Sequence, residues 1–413
     1  MSPQGRRTPY PAPQGNTRKL AAARSFLEGL DRRSFLGAAT LLGAPRVLFA
    51  QAATERRFIF IIQRGAADGL NIVIPYAEPA YASQRGALAI DPQAALKLDG
   101  MFALHPALPW LRELYGTGEA SFLHAVASPY RDRSHFDGQN VLETGGRAPH
   151  QLKDGWMNRL LGLLPRNGKG NGNGAIAFSS AVPMALQGGA EVTTYAPSTL
   201  PQANEDLLAR VAQLYARDGQ LHALWTSAIE ARAMAGAGMG GGGNRQDAAA
   251  LGRMAAGFLA RPDGPRLAMI ETSGWDTHSG QDARLARQLR GLDGLVGALR
   301  DGLGPAWART VILVATEFGR TVAGNGTGGT DHGTGAVAML VGGAVRGGRV
   351  LGDWPGLAPA DLFEGRDLRP TLGLDTLIAS ACAETFTLDL QRTARVLFPS
   401  ATGNPAVSRL LRA

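Results

Sequence analysis

The sequence predicts an α/β fold, a three-layer sandwich around a mostly parallel central sheet, and three observations carry that prediction. Short, continuously apolar runs recur along the chain, a long helix with one apolar stripe lies between two of them, and acids and histidines gather just past their carboxyl ends. The first run, Phe58 to Ile62, is apolar throughout with β-branched members, as a strand buried on both faces requires. Ser121 to Ala127, Leu267 to Glu271, Thr310 to Ala315 and Ala336 to Val341 read the same way. Between the third and fourth runs, Leu285, Leu289, Leu292, Val296, Leu299 and Leu303 recur at three- and four-residue spacing, so one face of that helix covers the sheet. A strand, a crossover helix and another strand imply parallel pairing and a right-handed connection.

The N-terminus is read separately. Asp31-Arg32-Arg33-Ser34-Phe35-Leu36 places paired arginines before a short apolar run that ends in Ala50-Gln51-Ala52, the layout of a twin-arginine signal peptide over residues 1–52. The run contains Pro45 and Arg46 and is too short for a permanent membrane anchor. The expected partner is the twin-arginine export machinery, and the expected location is periplasmic or secreted. Residues 1–52 hold eight Arg and Lys against two acids, so most of the formal net charge of +8 sits in the leader. The remainder, 53–413, is near neutral and carries no basic stripe with interleaved aromatics, which argues against nucleic-acid binding. It reads as one α/β domain stabilised by its core, because the single cysteine, Cys382, excludes an intramolecular disulfide. Glycine-rich stretches near 167–174 and 236–244 read as flexible surface loops, and neither has the flanks of a phosphate-binding loop.

The chemistry concentrates late in the chain. Trp275-Asp276-Thr277-His278, Thr316-Glu317-Phe318-Gly319-Arg320-Thr321 and Gly329-Thr330-Asp331-His332-Gly333 place acids beside two of the seven histidines. Carboxylate and imidazole in such proximity are metal ligands by type, and mixed donors suit zinc, manganese or iron better than calcium or magnesium. Asp276 and His278 follow one strand, Glu317 another and Asp68 a third, so three strand ends deliver acids to one edge of the sheet. His105, His124, His150 and His222 lack acids at ligand spacing and read as packing or surface residues. Asn325 to Gly329 reads as a loop beside the site, either a lid over substrate or a plain turn.

Those motifs, together with Arg64-Gly65-Ala66-Ala67-Asp68-Gly69-Leu70-Asn71, Arg133-Ser134-His135-Phe136 and Arg369-Pro370-Thr371, resemble the exported domain-of-unknown-function family 1501 over nearly the whole chain beyond the leader. That family in turn resembles the alkaline phosphatase and sulfatase superfamily. The resemblance implies an alkaline phosphatase-like fold and a metal-dependent hydrolase acting on a small anionic phosphate or sulfate ester. It also implies roles. Asp276, His278 and His332 form one metal site, while Glu317 and Asp68 belong to a second that is altered or absent, since Glu317-Phe318-Gly319 stands where members carry Asp-His-Gly. Ser134 is the candidate nucleophile, a metal-bound hydroxide being the alternative, with His135 as ligand or general acid-base and Arg133 as anion holder. The bland alternative makes Ser134 a helix cap and packs His135 on Trp156. Arg320 either clamps an oxyanion or forms an ion pair. The absence of a cysteine in this segment argues against a formylglycine sulfatase. The competing functional reading is a catalytically degenerate exported binding or assembly protein with a structural metal.

Overall fold

Backbone pairing joins all five expected strands into one sheet of nine. The structure is a computed structural model and describes residues 54–165, 174–196, 205–216, 218–226, 228, 247–401 and 406–412. The expected leader and, apart from Gly174, both glycine-rich stretches lie outside these residues. In chain order the strands are β1 (Arg57–Arg64), β2 (Ala120–Ala127), β3 (Ala175–Phe178), β4 (Thr193–Thr194), β5 (Leu267–Ser273), β6 (Thr310–Ala315), β7 (Ala336–Val341), β8 (Arg349–Leu351) and β9 (Leu372–Gly373). Their spatial order is β8-β2-β7-β6-β1-β5-β3-β4, with β9 also pairing with β2.

All these pairings are parallel except the two made by β7, which runs antiparallel to both β6 and β2. The sheet is thus mostly parallel, as expected, but the strands on either side of the long helix, β5 and β6, are not neighbours. They flank β1, with Ile61 in register with Ile270 on one side and Val314 on the other.

Period-two alternation sends Ile59 and Ile61 of β1 to one face and Phe58, Phe60 and Ile62 to the other, and all five side chains are fully buried. The first face is covered by α1 (Pro109–Gly116), α4 (Ala248–Leu259) and α5 (Gln281–Leu303). The α5 stripe Leu285, Leu289, Leu292, Val296, Leu299 and Leu303 lies entirely within that core. The second face is covered by α3 (Trp156–Leu163), α6 (Leu374–Phe386) and α7 (Leu390–Leu397), the remaining helix used below being α2 (His135–Thr144). Asp293 of α5 accepts from the amides of Trp110 and Leu111 at 3.1 and 2.9 Å, so it caps α1 and ties two helices of one layer together. Cys382 is buried in the α6 layer with a thiol pushed well up by burial. Among the described residues no helix is long and apolar enough to cross a membrane.

Candidate metal centre

Four chain segments meet at the carboxyl edge of the sheet. Past β5, extended backbone alternates, so Trp275 and Thr277 turn inward and are buried while Asp276 and His278 turn outward together. Trp275 anchors this segment by donating from Nε1 to Thr272 Oγ1 at 3.0 Å. Past β6, the segment Thr316 to Thr321 pairs with the residues leading into β7: Gly319 N donates to Thr334 O, Gly333 N to Gly319 O and Thr321 N to Asp331 O, at 2.8 to 3.0 Å. Because β7 is antiparallel, its amino end lies at this edge, and His332 arrives just before the strand instead of after it. The fourth segment follows β2 and ends at α2, whose first residue is His135.

The donor atoms of His135, Asp276 and His332 all lie within 4.8 Å of one another. His135 Nε2 is 3.4 Å from Asp276 Oδ2, and His332 Nε2 is 3.3 Å from Asp276 Oδ1. His278 joins from the open side, its Nε2 lying 3.0 Å from Asp276 Oδ1 and 2.9 Å from His332 Nε2. The sequence-read trio Asp276, His278 and His332 is therefore brought together, and His135 is added to it.

Each ring is held from behind. His135 Nδ1 lies 2.8 Å from Glu317 Oε1, His278 Nδ1 3.2 Å from Asp331 Oδ1, and His332 Nδ1 2.9 Å from the carbonyl of Arg133. A carbonyl or an ionised carboxylate only accepts, so each Nδ1 carries the proton, and in a neutral ring the Nε2 then presents a lone pair to the cluster. Two lone pairs do not face each other at 2.9 Å without an electrophile between them, and His135 Nε2 is buried with no hydrogen-bond partner. A divalent cation satisfies all three nitrogens and the carboxylate at once, so the donor set fits a metal.

Burial pushes the Asp276 carboxyl up, but the hydrogen bond and charge of Arg320, with the neighbouring histidines, hold it below the usual range. The hydrogen bond from Asn325, and then His278, lowers Asp331. The Glu317 hydrogen bond raises His135, whereas burial lowers His332. Phe318 is buried and stacks on His135 with ring centroids 5.1 Å apart, so the residue in place of an imidazole forms the apolar wall of the site.

Several sequence-read roles change. Glu317 is not a ligand. It is fully buried and accepts from Gly65 N, His135 Nδ1 and Gln139 Nε2 at one oxygen and from Thr316 Oγ1 at the other, and although burial opposes ionisation these bonds lower its pKa. Asp68 is likewise removed from the ligand set: it caps the short helix Gly69–Ile72, is ion-paired with fully buried Arg85, and accepts from Gln281 Nε2 at 2.5 Å. Arg320 does not clamp an oxyanion, because its buried guanidinium donates to Asp276 Oδ1 at 2.7 Å, Thr330 Oγ1 at 3.1 Å and Thr330 O at 2.5 Å. Arg133 is no anion holder; it pairs with Asp367 and Glu364. Asp331 stands behind His278 Nδ1. The Asn325 loop is tied to the site, with Asn325 Nδ2 and Thr327 Oγ1 both donating to His278 O. Ser134 occupies the N-cap position of α2 without a side-chain capping bond, and its amide donates to Tyr130 Oη. His135 packs on Phe318, whereas Trp156 belongs to the opposite layer.

Two contributors were not read from sequence. Gln139 sits four residues after His135, on the same helix face, and that spacing was the available signal. Asp367 accepts from the Arg133 guanidinium and from Thr334 Oγ1, and so anchors the side chain of the residue whose backbone, at φ 61°, offers its carbonyl to His332. No local pattern marks it.

A model of the family described as "Protein of unknown function (DUF1501)" matches residues 105–397. The chain belongs to this family. That span contains every cluster residue named above, from His135 to His332, so the centre lies wholly inside the DUF1501 region. Comparison with curated proteins returns no match. Solved structures similar to this DUF1501 chain include the C-terminal periplasmic domain of EcEptC from Escherichia coli in complex with zinc, at 9% identity over 71% of this chain and 75% of that one, TM-score 0.36. The lipoteichoic acid synthase LtaP from Listeria monocytogenes is similar at 11% identity over 67% and 59%, TM-score 0.33. The phosphonate monoester hydrolase of Agrobacterium radiobacter is similar at 12% identity over 72% and 70%, TM-score 0.30. At such identity no side-chain role transfers.

Proposed function

We propose that this DUF1501 chain is an exported, metal-dependent hydrolase of phosphate or sulfate esters. The observation that carries the reading is the convergence of three imidazole Nε2 atoms on the Asp276 carboxylate, each ring fixed through its Nδ1. The ester class rests on the motif resemblance to the alkaline phosphatase and sulfatase superfamily. A divalent ion held by His135, Asp276, His278 and His332, zinc, manganese or iron by donor type, supplies Lewis acidity toward an ester oxygen when bound.

The chain's own groups do the rest. Glu317 and Asp331 keep two donor rings in the productive tautomer, Arg320 fixes Asp276, and Phe318 keeps water from one side of the cluster. Ser134, directly before His135 and free of a capping bond, is the proposed nucleophile. Export through the twin-arginine route would remove residues 1–52 and deliver the folded domain to the periplasm or medium.

One observation favours the second reading, a binding or assembly protein with a structural metal. Asp68 and Glu317, the carboxylates a second ion would need, are both engaged by partners inside the protein. Metal content of protein purified from the periplasm, followed by aryl phosphate, phosphodiester and sulfate panels, separates the two. The hydrolase reading expects about one equivalent of metal, its loss in Asp276→Ala and His332→Ala, and turnover that disappears in Ser134→Ala. A metal-free wild type overturns it, and bound metal without turnover across the panel supports the second reading.

A further inference from the structure

Glu317 presents an unusual balance. A fully buried carboxylate sits at the centre of the network, yet among the described residues no guanidinium or ammonium is hydrogen-bonded to it. The nearest cation in the hydrogen-bond chain, Arg64, reaches it only through Gln139: Arg64 Nη1 donates to Gln139 Oε1 at 2.8 Å, and Gln139 Nε2 donates to Glu317 Oε1 at 3.0 Å. Arg64 is itself fixed by Glu143 at 2.7 Å and Glu271 at 3.1 Å.

This order of groups has a chemical consequence. The guanidinium has donors only, so it must face the amide oxygen, which leaves the amide NH₂ to face Glu317. The glutamine is therefore held in one orientation from both ends. A direct Arg64–Glu317 pair would draw the carboxylate toward the guanidinium and away from His135. An interposed amide holds the carboxylate in place while leaving its charge for the imidazole. Gly65 N supports the same oxygen at 2.8 Å, from a glycine at φ 119° where a Cβ would come within 2.6 Å of Asp276 N.

We infer that Gln139, held by Arg64, is a positioning residue that keeps Glu317 on His135 Nδ1 and so keeps His135 Nε2 a lone-pair donor facing Asp276. The role in metal binding rests on the reading of the centre given above, whereas the role in setting the tautomer does not. Replacing Gln139 frees Glu317 to turn toward Arg64, and His135 then loses the acceptor that selects its tautomer.

The test uses the whole mature chain in two arms. In metal-free protein, side-chain ¹⁵N shifts of His135 report the tautomer: the wild type is expected as the Nδ1–H form, and Gln139→Leu as a mixture with Nε2–H. In the second arm, zinc titration is expected to show binding weakened by ~10–100-fold in Gln139→Leu, as for loss of a partner behind a ligand. The same substitution in a His135→Ala background should change zinc affinity by less than about twofold, because its effect passes through that ring. Gln139→Met, which fills the space without the hydrogen bonds, repeats both arms should the leucine variant fold poorly. A wild-type tautomer in both variants, or an equal loss of affinity with and without His135, overturns the inference. A wild type that binds no zinc overturns the metal reading instead, and the tautomer arm still decides the role of Gln139.

Discussion

Asp68 and Glu317 are both buried carboxylates at strand ends, and what they face decides what they do. Asp68 faces a guanidinium that is itself fully buried, whereas Glu317 faces an imidazole and neutral donors. Removing one member of a buried pair strands the other charge, so Asp68→Ala is expected to lower stability by ~3–5 kcal/mol. Metal affinity should stay near wild type, because Asp68 lies outside the donor set and meets the site through intermediaries: Gln281, whose Oε1 accepts from Thr330 Oγ1, and Arg85, which donates to Thr321 O. Urea unfolding and zinc titration of the same preparation check the two halves of this expectation. A tenfold loss of zinc affinity in a folded Asp68→Ala would restore the residue to the ligand set.

At the scale of elements, the centre depends on the tight pairing of the segment after β6 with the residues before β7. Gly333 lets those backbones approach, since a Cβ there would overlap the carbonyl carbon of Arg320. Gly333→Ala should therefore displace His332 and Arg320 together, costing ~1–3 kcal/mol through steric strain and weakening zinc binding. Thermal unfolding and zinc titration would show both losses; a variant matching the wild type in each would contradict the close approach. The strands β1, β2, β5, β6 and β7 and the α5 stripe were legible because buried parallel strands and amphipathic helices leave periodic patterns. The direction of β7 was not, since a continuous apolar run reads alike in either sense. The gathering of Asp276, His278 and His332 was legible from acid and imidazole at short spacing. The place of Glu317 was not, because its partner His135 is 182 residues away and the pairing has no local signature. Phe318 was read as an imidazole lost, and only packing reveals it as a wall behind His135.

Away from the candidate metal centre, burial lowers the pKa of two of the described histidines, His124 and His105. His124 is buried between Phe102 and Trp354, with Nε2 donating to Val73 O at 2.8 Å and Nδ1 accepting from Ala125 N, and burial lowers its pKa to about 4. Burial likewise lowers His105 to about 4, with Nδ1 accepting from Ala107 N. Both folded values lie below the ordinary 6.5, so between those limits the unfolded chain binds more protons than the folded one. Their contribution is complete above pH ~6.5 and is lost as pH falls toward ~4. Urea midpoints measured across that window should fall with acidity, and His124→Gln, which keeps a donor for Val73 O, should flatten the slope. An unchanged slope would assign the acid sensitivity to other groups.

The antiparallel course of β7 also bears on the order in which the chain assembles. His332 meets the backbone of Arg133 across 199 residues of sequence, and His278 meets His332 across 54. No single hairpin or βαβ unit contains the complete donor set, so a nascent segment has nothing with which to capture an ion at full strength. On the proposed metal reading, chelation would therefore be a late event that reports a finished sheet instead of templating one. Zinc added to refolding chains should leave the early phases unaltered and slow only the final loss of structure on unfolding.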